Sequence, residues 1–181
     1  MSSVVIAGDT SGSITLAAPA VAGTTTLTLP ATSGTVNLNG PAFFAEQTGS
    51  AQSISNNTYT KLAINTETFD TNSNYNNSTY VFTPTVAGYY QVNANVTLDS
   101  SAALVTPAVI SLRKNGTTFN QVWYATTTGG NYFGSSISSL VYCNGSTDYI
   151  EVYVLQLTGS TKNTVIAGGF NTFSAVMVRG A

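Results

Sequence analysis

The acidic residues are the first candidates for chemistry, because the chain contains no histidine. Without histidine it lacks the commonest general base and the usual ligand of catalytic zinc. Paired carboxylates can cleave glycosidic bonds, and the pairs closest in sequence are Glu67 with Asp70 and Asp148 with Glu151. At a spacing of three on a strand, the two members of a pair point to opposite faces. We therefore predict that the chain is not an enzyme.

A possible cation site begins at Asp70 and continues Thr-Asn-Ser-Asn, so that carboxylate and amide oxygens alternate. Calcium binds such oxygens, but tight sites also need a later bidentate acid, which this run lacks. A plain Asx-turn loop is the interpretation that we favour. The single cysteine, Cys143, excludes an intrachain disulfide and is expected to be a small buried apolar residue. No metal and no cofactor is predicted.

Charge is scarce, since charged residues make up 7% of the chain and the net charge is −2. Five scattered basic residues cannot form a phosphate-neutralising stripe, so nucleic acid is not an expected partner. No apolar run approaches the roughly 20 residues of a membrane-spanning helix, so no membrane insertion is expected. So few charges are typical of a turn-rich all-β protein or of a surface that is covered in an oligomer.

Aromatic residues are the remaining candidate binding groups. Trp123-Tyr124, Tyr132-Phe133 and Tyr75 occur in loop-like or strand-end contexts. Such rings can stack on a sugar or on a partner protein, and packing in the core or between subunits is the alternative that we favour.

These side chains must be positioned by strands, because apolar residues alternate with period two and no stretch shows helical spacing. The clearest alternation covers residues 90–98, where every second residue is apolar. Residues 150–155 are apolar enough on both faces to predict a strand that is covered twice. Asn115-Gly116 predicts a tight hairpin, since both residues tolerate positive φ. Many short strands between Gly and Asn turns predict an all-β sandwich or jelly roll.

Residues 1–40 differ from the rest, because they contain no aromatic residue and only short alternating pieces. Such short strands cannot form a core of their own. We therefore predict an N-terminal arm over residues 1–40, packed on its own copies around a threefold axis or on a larger host surface, and a second domain over residues 41–181. A disordered tail is the alternative. The candidate attachment residues of the arm are Val4, Ile6, Ile14, Leu16, Leu27, Leu29, Val36 and Leu38.

Four aromatic and glycine positions carry a family resemblance. A Tyr precedes a Phe by seven residues, and a Gly-x-Tyr corner begins six residues after that Phe; here these are Tyr75, Phe82, Gly88 and Tyr90. This spacing resembles the globular head of the complement C1q family, which shares the TNF-like jelly roll.

Further segments extend the resemblance over residues 41–178. Residues 41–45 resemble the opening strand of the family, and residues 112–116 resemble its Lys-Asn-Gly hairpin. Residues 144–150 resemble its Gly-Asp strand entry with two residues inserted, and after Phe173 the chain has Ala175 where the family usually has Gly. The resemblance implies a jelly-roll homotrimer that binds rather than catalyses. Tyr90 and Tyr153 are expected in packed interiors or near the threefold axis.

The sequence of the arm includes Gly-Ser-Ile-Thr-Leu-Ala-Ala-Pro-Ala-Val-Ala-Gly. This segment resembles N-terminal segments of tailed-bacteriophage structural proteins. No collagen-like Gly-x-y stalk is present. The resemblance implies a virion protein on the surface of the phage particle, a trimer that decorates or cements the capsid and binds other virion proteins through its arm. The alternatives are the tip of a fibre or neck appendage that binds a host-surface glycan, and a secreted C1q-like binding module.

Overall fold

The computed structural model describes residues 3–7, 10–17, 20–21, 23–24, 40–99, 107–125, 131–166 and 168–181. Within these ranges the regular structure is entirely β and contains no α-helix. The strands are β1 (Ser3–Ala7), β2 (Ser13–Ala17), β3 (Ala42–Glu46), β4 (Ser53–Ile54), β5 (Thr60–Lys61), β6 (Thr66–Asp70), β7 (Tyr75–Asn76), β8 (Val81–Phe82), β9 (Ala87–Asp99), β10 (Ala108–Lys114), β11 (Thr117–Tyr124), β12 (Tyr132–Asn144), β13 (Ile150–Gln156), β14 (Lys162–Asn163) and β15 (Thr172–Gly180).

The chain divides into two compact units, Met1–Thr35 and Val36–Ala181. In the first unit β1 and β2 form an antiparallel hairpin in which Ser3 pairs with Ala17 and Ala7 with Ser13. The predicted boundary after residue 40 lies next to residues outside the described ranges and stays a prediction.

The second unit is a sandwich of two antiparallel sheets. The five-stranded sheet has the order β12-β9-β15-β3-β6. The six-stranded sheet has the order β11-β10-β13-β8-β7, with β5 also paired to β13. Apart from the hairpin pairs β10-β11 and β7-β8, neighbours in these sheets are not consecutive in the chain, which is the connectivity of a jelly roll. The predicted all-β jelly-roll sandwich is confirmed.

Strand β9 shows why the sequence folds this way. Its residues alternate between buried and more exposed positions over thirteen residues. The buried set faces the other sheet, and the exposed set of amides and hydroxyls faces outward. Because β9 pairs with β12 on one side and with β15 on the other, its inward side chains form the centre of the core. These residues are Tyr90, Val92, Ala94, Val96 and Leu98.

Turns form where the sequence places glycine after asparagine. Asn115 and Gly116 join β10 to β11 with φ of 53° and 76°, which confirms the predicted hairpin. At Gly145 φ is 72°, and an added Cβ would collide with the backbone of Val86 and Ala87. Only glycine therefore fits this second turn.

Strand β13 is covered on both of its faces, as predicted, and the second cover comes from the same chain. Ile150, Val152 and Val154 face the core. On the opposite face, Glu151 and Leu155 are also buried. There the ring of Tyr59 lies over Arg113 on the neighbouring strand, and Lys61 forms an ion pair with Glu151. A doubly covered strand is therefore not by itself evidence for a subunit interface.

Candidate interaction surfaces

The three aromatic residues of the motif, Tyr75, Phe82 and Tyr90, join Phe43 and Phe173 in one aromatic cluster between the sheets. Tyr75 and Phe82 both stack on Phe43 of β3, with ring centroids 4.6 Å and 4.7 Å away. Phe173 meets Phe43 edge-on at 5.0 Å, and Phe82 continues the cluster to Tyr90 at 5.6 Å. Offset and edge-on contacts of this kind add stability beyond area burial. The motif aromatics thus have a packing role.

The two motif tyrosines also satisfy backbone carbonyls. The hydroxyl of Tyr75 donates a 2.6 Å hydrogen bond to the carbonyl of Ile64, and that of Tyr90 donates one to the carbonyl of Val86. Burial raises the pKa of Tyr75 above its usual range. Burial, with the nearby Cys143, raises the pKa of Tyr90 to about 12. Both groups therefore stay protonated donors at physiological pH.

Gly88 permits the close approach of two strands. It lies on β9 opposite Gly180 of β15. An added Cβ would collide with the carbonyl oxygen of Arg179 and with the Met177 side chain. A glycine is therefore required here by strand packing rather than by an unusual φ.

Tyr153 lies apart from the aromatic cluster. It projects from the outer face of the six-stranded sheet and is half-buried. The guanidinium of Arg113 lies 4.0 Å from the Tyr153 ring centroid and 4.7 Å from that of Tyr59. This arrangement is a cation stacked between two aromatic faces. Tyr153 is thus part of an outer-surface stack, not of the core.

The carboxylates of Asp148 and Glu151 make separate local contacts rather than acting as a pair. Asp148 lies in the turn before β13 rather than on a strand, so the strand geometry expected for its pair with Glu151 is wrong. Asp148 accepts hydrogen bonds from Asn115 Nδ2 and the Asn144 backbone and forms an ion pair with Lys114 Nζ at 2.8 Å. The bonds from Asn115 and Lys114 lower the pKa of Asp148. Glu151 is instead paired with Lys61.

Asp70 uses both carboxylate oxygens within its own loop. Oδ1 accepts from the backbone N–H of Asn72 at 3.2 Å, and Oδ2 accepts from that of Tyr75 at 2.7 Å. This is the geometry of an Asx turn. A register shift between Phe44 and Ala45 marks a bulge in the β3–β6 ladder. The bulge interrupts the strict alternation of faces along β6, so the predicted placement of Glu67 and Asp70 on opposite faces does not follow.

Cys143 is fully buried in the core. Burial raises the pKa of its thiol to about 11, which disfavours the nucleophilic thiolate.

The other candidate aromatics divide between the core and the surface. Tyr124 and Phe133 pack against one another with ring centroids 5.9 Å apart. Their chain neighbours Trp123 and Tyr132 are more than half exposed. Alternation along a strand explains the division, because adjacent residues face opposite sides.

Exposed apolar side chains cluster at one end of the outer face of the five-stranded sheet. Tyr89 and Tyr142 are directly paired across β9 and β12 with rings 5.4 Å apart. Leu140 and Val176 flank Gln91 on the two sides of β9. We call the following set the apolar patch: Tyr89, Leu140, Tyr142, Val176 and Val178, each between 40% and 54% exposed. Patches of this kind mark interaction sites.

The predicted arm residues that the structure describes are exposed as well. Val4, Ile6, Ile14 and Leu16 are 55% to 67% exposed in the hairpin. The other four arm candidates, Leu27, Leu29, Val36 and Leu38, lie outside the described residues.

Sequence reasoning missed three associations: the link between the Asn115 and Asn144 turns through Asp148, the Arg113 stack, and the apolar patch. Each joins residues from strands distant in the chain. The outward positions of Leu140 and Tyr142 on β12 and of Val176 and Val178 on β15 were the local signal for the patch. No helix among the described residues has the length and apolar character to cross a membrane.

Comparison with known proteins gives a likeness of fold. No family model and no curated protein sequence matches the chain. The solved structure of Eiger TNF from S. frugiperda is similar with a TM-score of 0.59 and 10% identity, covering 80% of this chain and 96% of that chain. Murine APRIL at pH 8.5 is similar with a TM-score of 0.56 and 10% identity, covering 77% and 99%. The chain therefore has a TNF-like jelly-roll fold.

Proposed function

We propose that this chain is a non-enzymatic structural protein of a tailed-phage virion, in which a homotrimer decorates or cements the capsid surface and the N-terminal arm binds other virion proteins. The observation that carries the proposal is the hairpin of β1 and β2, whose apolar side chains are exposed. An isolated two-stranded hairpin is marginally stable. Burial against a larger protein surface would stabilise both its side chains and its backbone edges.

The apolar patch supports the trimer. Large exposed apolar areas are uncommon on monomers, and cyclic homo-oligomers bury the same patch on every copy. The scarcity of charge also favours self-association, because net charge keeps proteins apart. The occupant that we assign to the apolar patch is therefore a second copy of this chain.

The attachment is tested by deleting residues 1–40. The truncated jelly roll should fold, since its core contains only residues of the second unit, and it should no longer join phage particles in a complementation assay. Normal incorporation of the truncated chain would show that attachment lies in the jelly roll. A copy number near that of the major capsid protein supports decoration, whereas one near that of the tail fibre supports the appendage alternative.

The trimer is tested separately by light scattering. Leu140→Asp places a charge in the apolar patch and should shift the mass from trimer to monomer. Phe119→Asp is the matched control, because Phe119 has a similar exposure on a strand of the other sheet. A monomeric unmodified chain at micromolar concentration, or a trimer unaffected by Leu140→Asp, would contradict this interface.

A secreted binding module is the second candidate. The likeness of fold to Eiger TNF and APRIL favours it. If phage particles lack the chain entirely and the chain is recovered from culture medium, the secreted binding module replaces the virion proposal.

A further inference from the structure

A polar cavity opens at the opposite end of the five-stranded sheet from the apolar patch. Its volume is about 360 Å³, near the lower end of the roughly 300–1,000 Å³ of small-molecule sites. Its floor is the outer face of β9 and β12, at Asn95, Thr97, Gly134 and Ser136, and the loop at Phe170 forms a wall. Ser136 of the cavity and Leu140 of the apolar patch are four residues apart along β12, or about 13 Å. The cavity and the apolar patch are thus separate areas of the same face.

The floor of the cavity is open because position 134 is a glycine, which has no side chain. Gly134 pairs with Thr97 across the two strands. A Cβ at position 134 would lie 2.6 Å from both Thr97 Oγ1 and the Val96 carbonyl oxygen. Only a residue without a side chain therefore fits at this outward position of β12, and its absence leaves room for a ligand above the sheet.

The wall is held in place by hydrogen bonds. Asn171 Oδ1 accepts from the backbone N–H of Thr97 at 2.8 Å, and Asn171 Nδ2 donates to the Val165 carbonyl at 2.8 Å. Asn171 itself is buried. Its neighbour Phe170 is partly exposed and packs on Tyr132 with ring centroids 6.0 Å apart. The aromatic wall is therefore preorganised, which lowers the entropic cost of binding.

The cavity offers hydrogen-bonding groups but no charge. Its lining contains no acidic or basic side chain. Asn95 Nδ2 donates to Thr172 Oγ1 at 3.0 Å, which fixes the amide. Among the described residues, neither Asn95 Oδ1 nor Ser136 Oγ has a hydrogen-bond partner. The lining thus places the amide oxygen of Asn95 and the hydroxyl of Ser136 in one cavity with the ring of Phe170.

We infer that this cavity binds a neutral hexose or N-acetylhexosamine residue of a glycan. Sugar hydroxyls are both donors and acceptors, which matches the amide and hydroxyl groups of the floor. The apolar C–H face of a sugar ring matches the face of Phe170. A charged sugar is disfavoured, because no lining group compensates its charge. This inference goes beyond the proposed structural role and does not depend on the trimer or on the arm.

The test uses the full chain and four probes: the methyl glycosides of glucose, galactose, mannose and N-acetylglucosamine. Saturation-transfer NMR should show transfer to the ring protons of at least one probe. Ser136→Val places two methyl groups in the cavity and should abolish the transfer. Ser138→Val makes the same change on the same face of β12 outside the lining and should leave it unchanged.

Phe170→Ala provides an independent test of the wall and should also abolish the transfer. Circular dichroism and the light-scattering mass of each variant verify that it remains folded and assembled. Transfer from none of the four probes overturns the inference, as does transfer that survives both Ser136→Val and Phe170→Ala. Neither result affects the proposed virion role, because particle incorporation and trimer mass are measured separately.

Discussion

The N-terminal hairpin and the jelly roll contain the same kind of alternating strand, but they bury its apolar residues to opposite extents. Ile14 and Leu16 of the hairpin are mostly exposed, whereas Val92 and Val96 of the jelly roll have no exposed surface. This difference in burial comes from a second layer of β-sheet. In the jelly roll a facing sheet covers the alternate residues, while the described residues of the first unit form only the two strands of the hairpin. Alternation thus predicts a strand, and burial requires a partner surface.

The largest expected effect comes from the aromatic cluster. Phe43→Ala should lower the free energy of unfolding by about 3–5 kcal/mol, because it removes a ring in contact with three others and leaves a cavity. Denaturant unfolding followed by circular dichroism, at one fixed protein concentration, measures the change. A loss of unfolding free energy below about 1 kcal/mol would show that burial in the aromatic cluster contributes little, and the contrast with the exposed hairpin would fail.

A single buried hydroxyl gives the next largest effect. Tyr75→Phe keeps the ring but leaves the Ile64 carbonyl without its donor, at a cost of about 1–3 kcal/mol. Tyr132→Phe is the control, because Tyr132 is more than half exposed and should change stability by less than about 0.5 kcal/mol. Equal effects of the two substitutions would show that the Tyr75 hydrogen bond contributes nothing specific.

Acid should weaken the contact between the two Asn-Gly turns of the jelly roll. The pKa of Asp148 is lowered on folding by Asn115 and Lys114, so its contribution is complete above the unfolded pKa of about 3.9. The contribution is lost as pH falls further, through the folded pKa. Asp148→Asn should therefore cost about 1 kcal/mol at pH 7.

The measurement is the melting temperature of both chains from pH 7 to pH 2. The difference between the unmodified chain and Asp148→Asn should shrink below about pH 4. A difference that stays constant over this range would mean that the carboxylate charge is not the stabilising feature.

The smallest effect is expected in the hairpin. The double substitution Val4→Ser and Ile14→Ser should change the unfolding free energy of the jelly roll by less than about 0.5 kcal/mol, because both side chains are exposed. Denaturant unfolding again gives the value. A loss comparable to that of Phe43→Ala would show that these side chains are buried, and the contrast between the two units would fail.

Much of the fold could be predicted from local pattern. The alternation at Tyr90 to Leu98 predicts β9 and its inward face, and the tolerance of Asn115-Gly116 for positive φ predicts the hairpin. The spacing of Tyr75, Phe82 and Tyr90 indicates the TNF-like jelly roll that the structure has. The eight arm candidates and the virion role stay predictions.

The candidate sites could not be predicted in the same way. The cavity at Gly134 and Phe170 and the apolar patch at Tyr89 and Leu140 each combine strands that are distant in sequence. Their composition depends on the register between those strands, and a slip of one residue would turn every side chain to the opposite face.

The sequence by itself therefore determined strands such as β9 and β13, their inward faces and one hairpin, because these depend on residue type and local φ. Only the tertiary structure decided that Asp148 links two turns, that Arg113 stacks between two tyrosines and that Gly134 leaves an open cavity. The physical reason is that such contacts arise between neighbours in space, which are set by long-range strand pairing rather than by any segment alone.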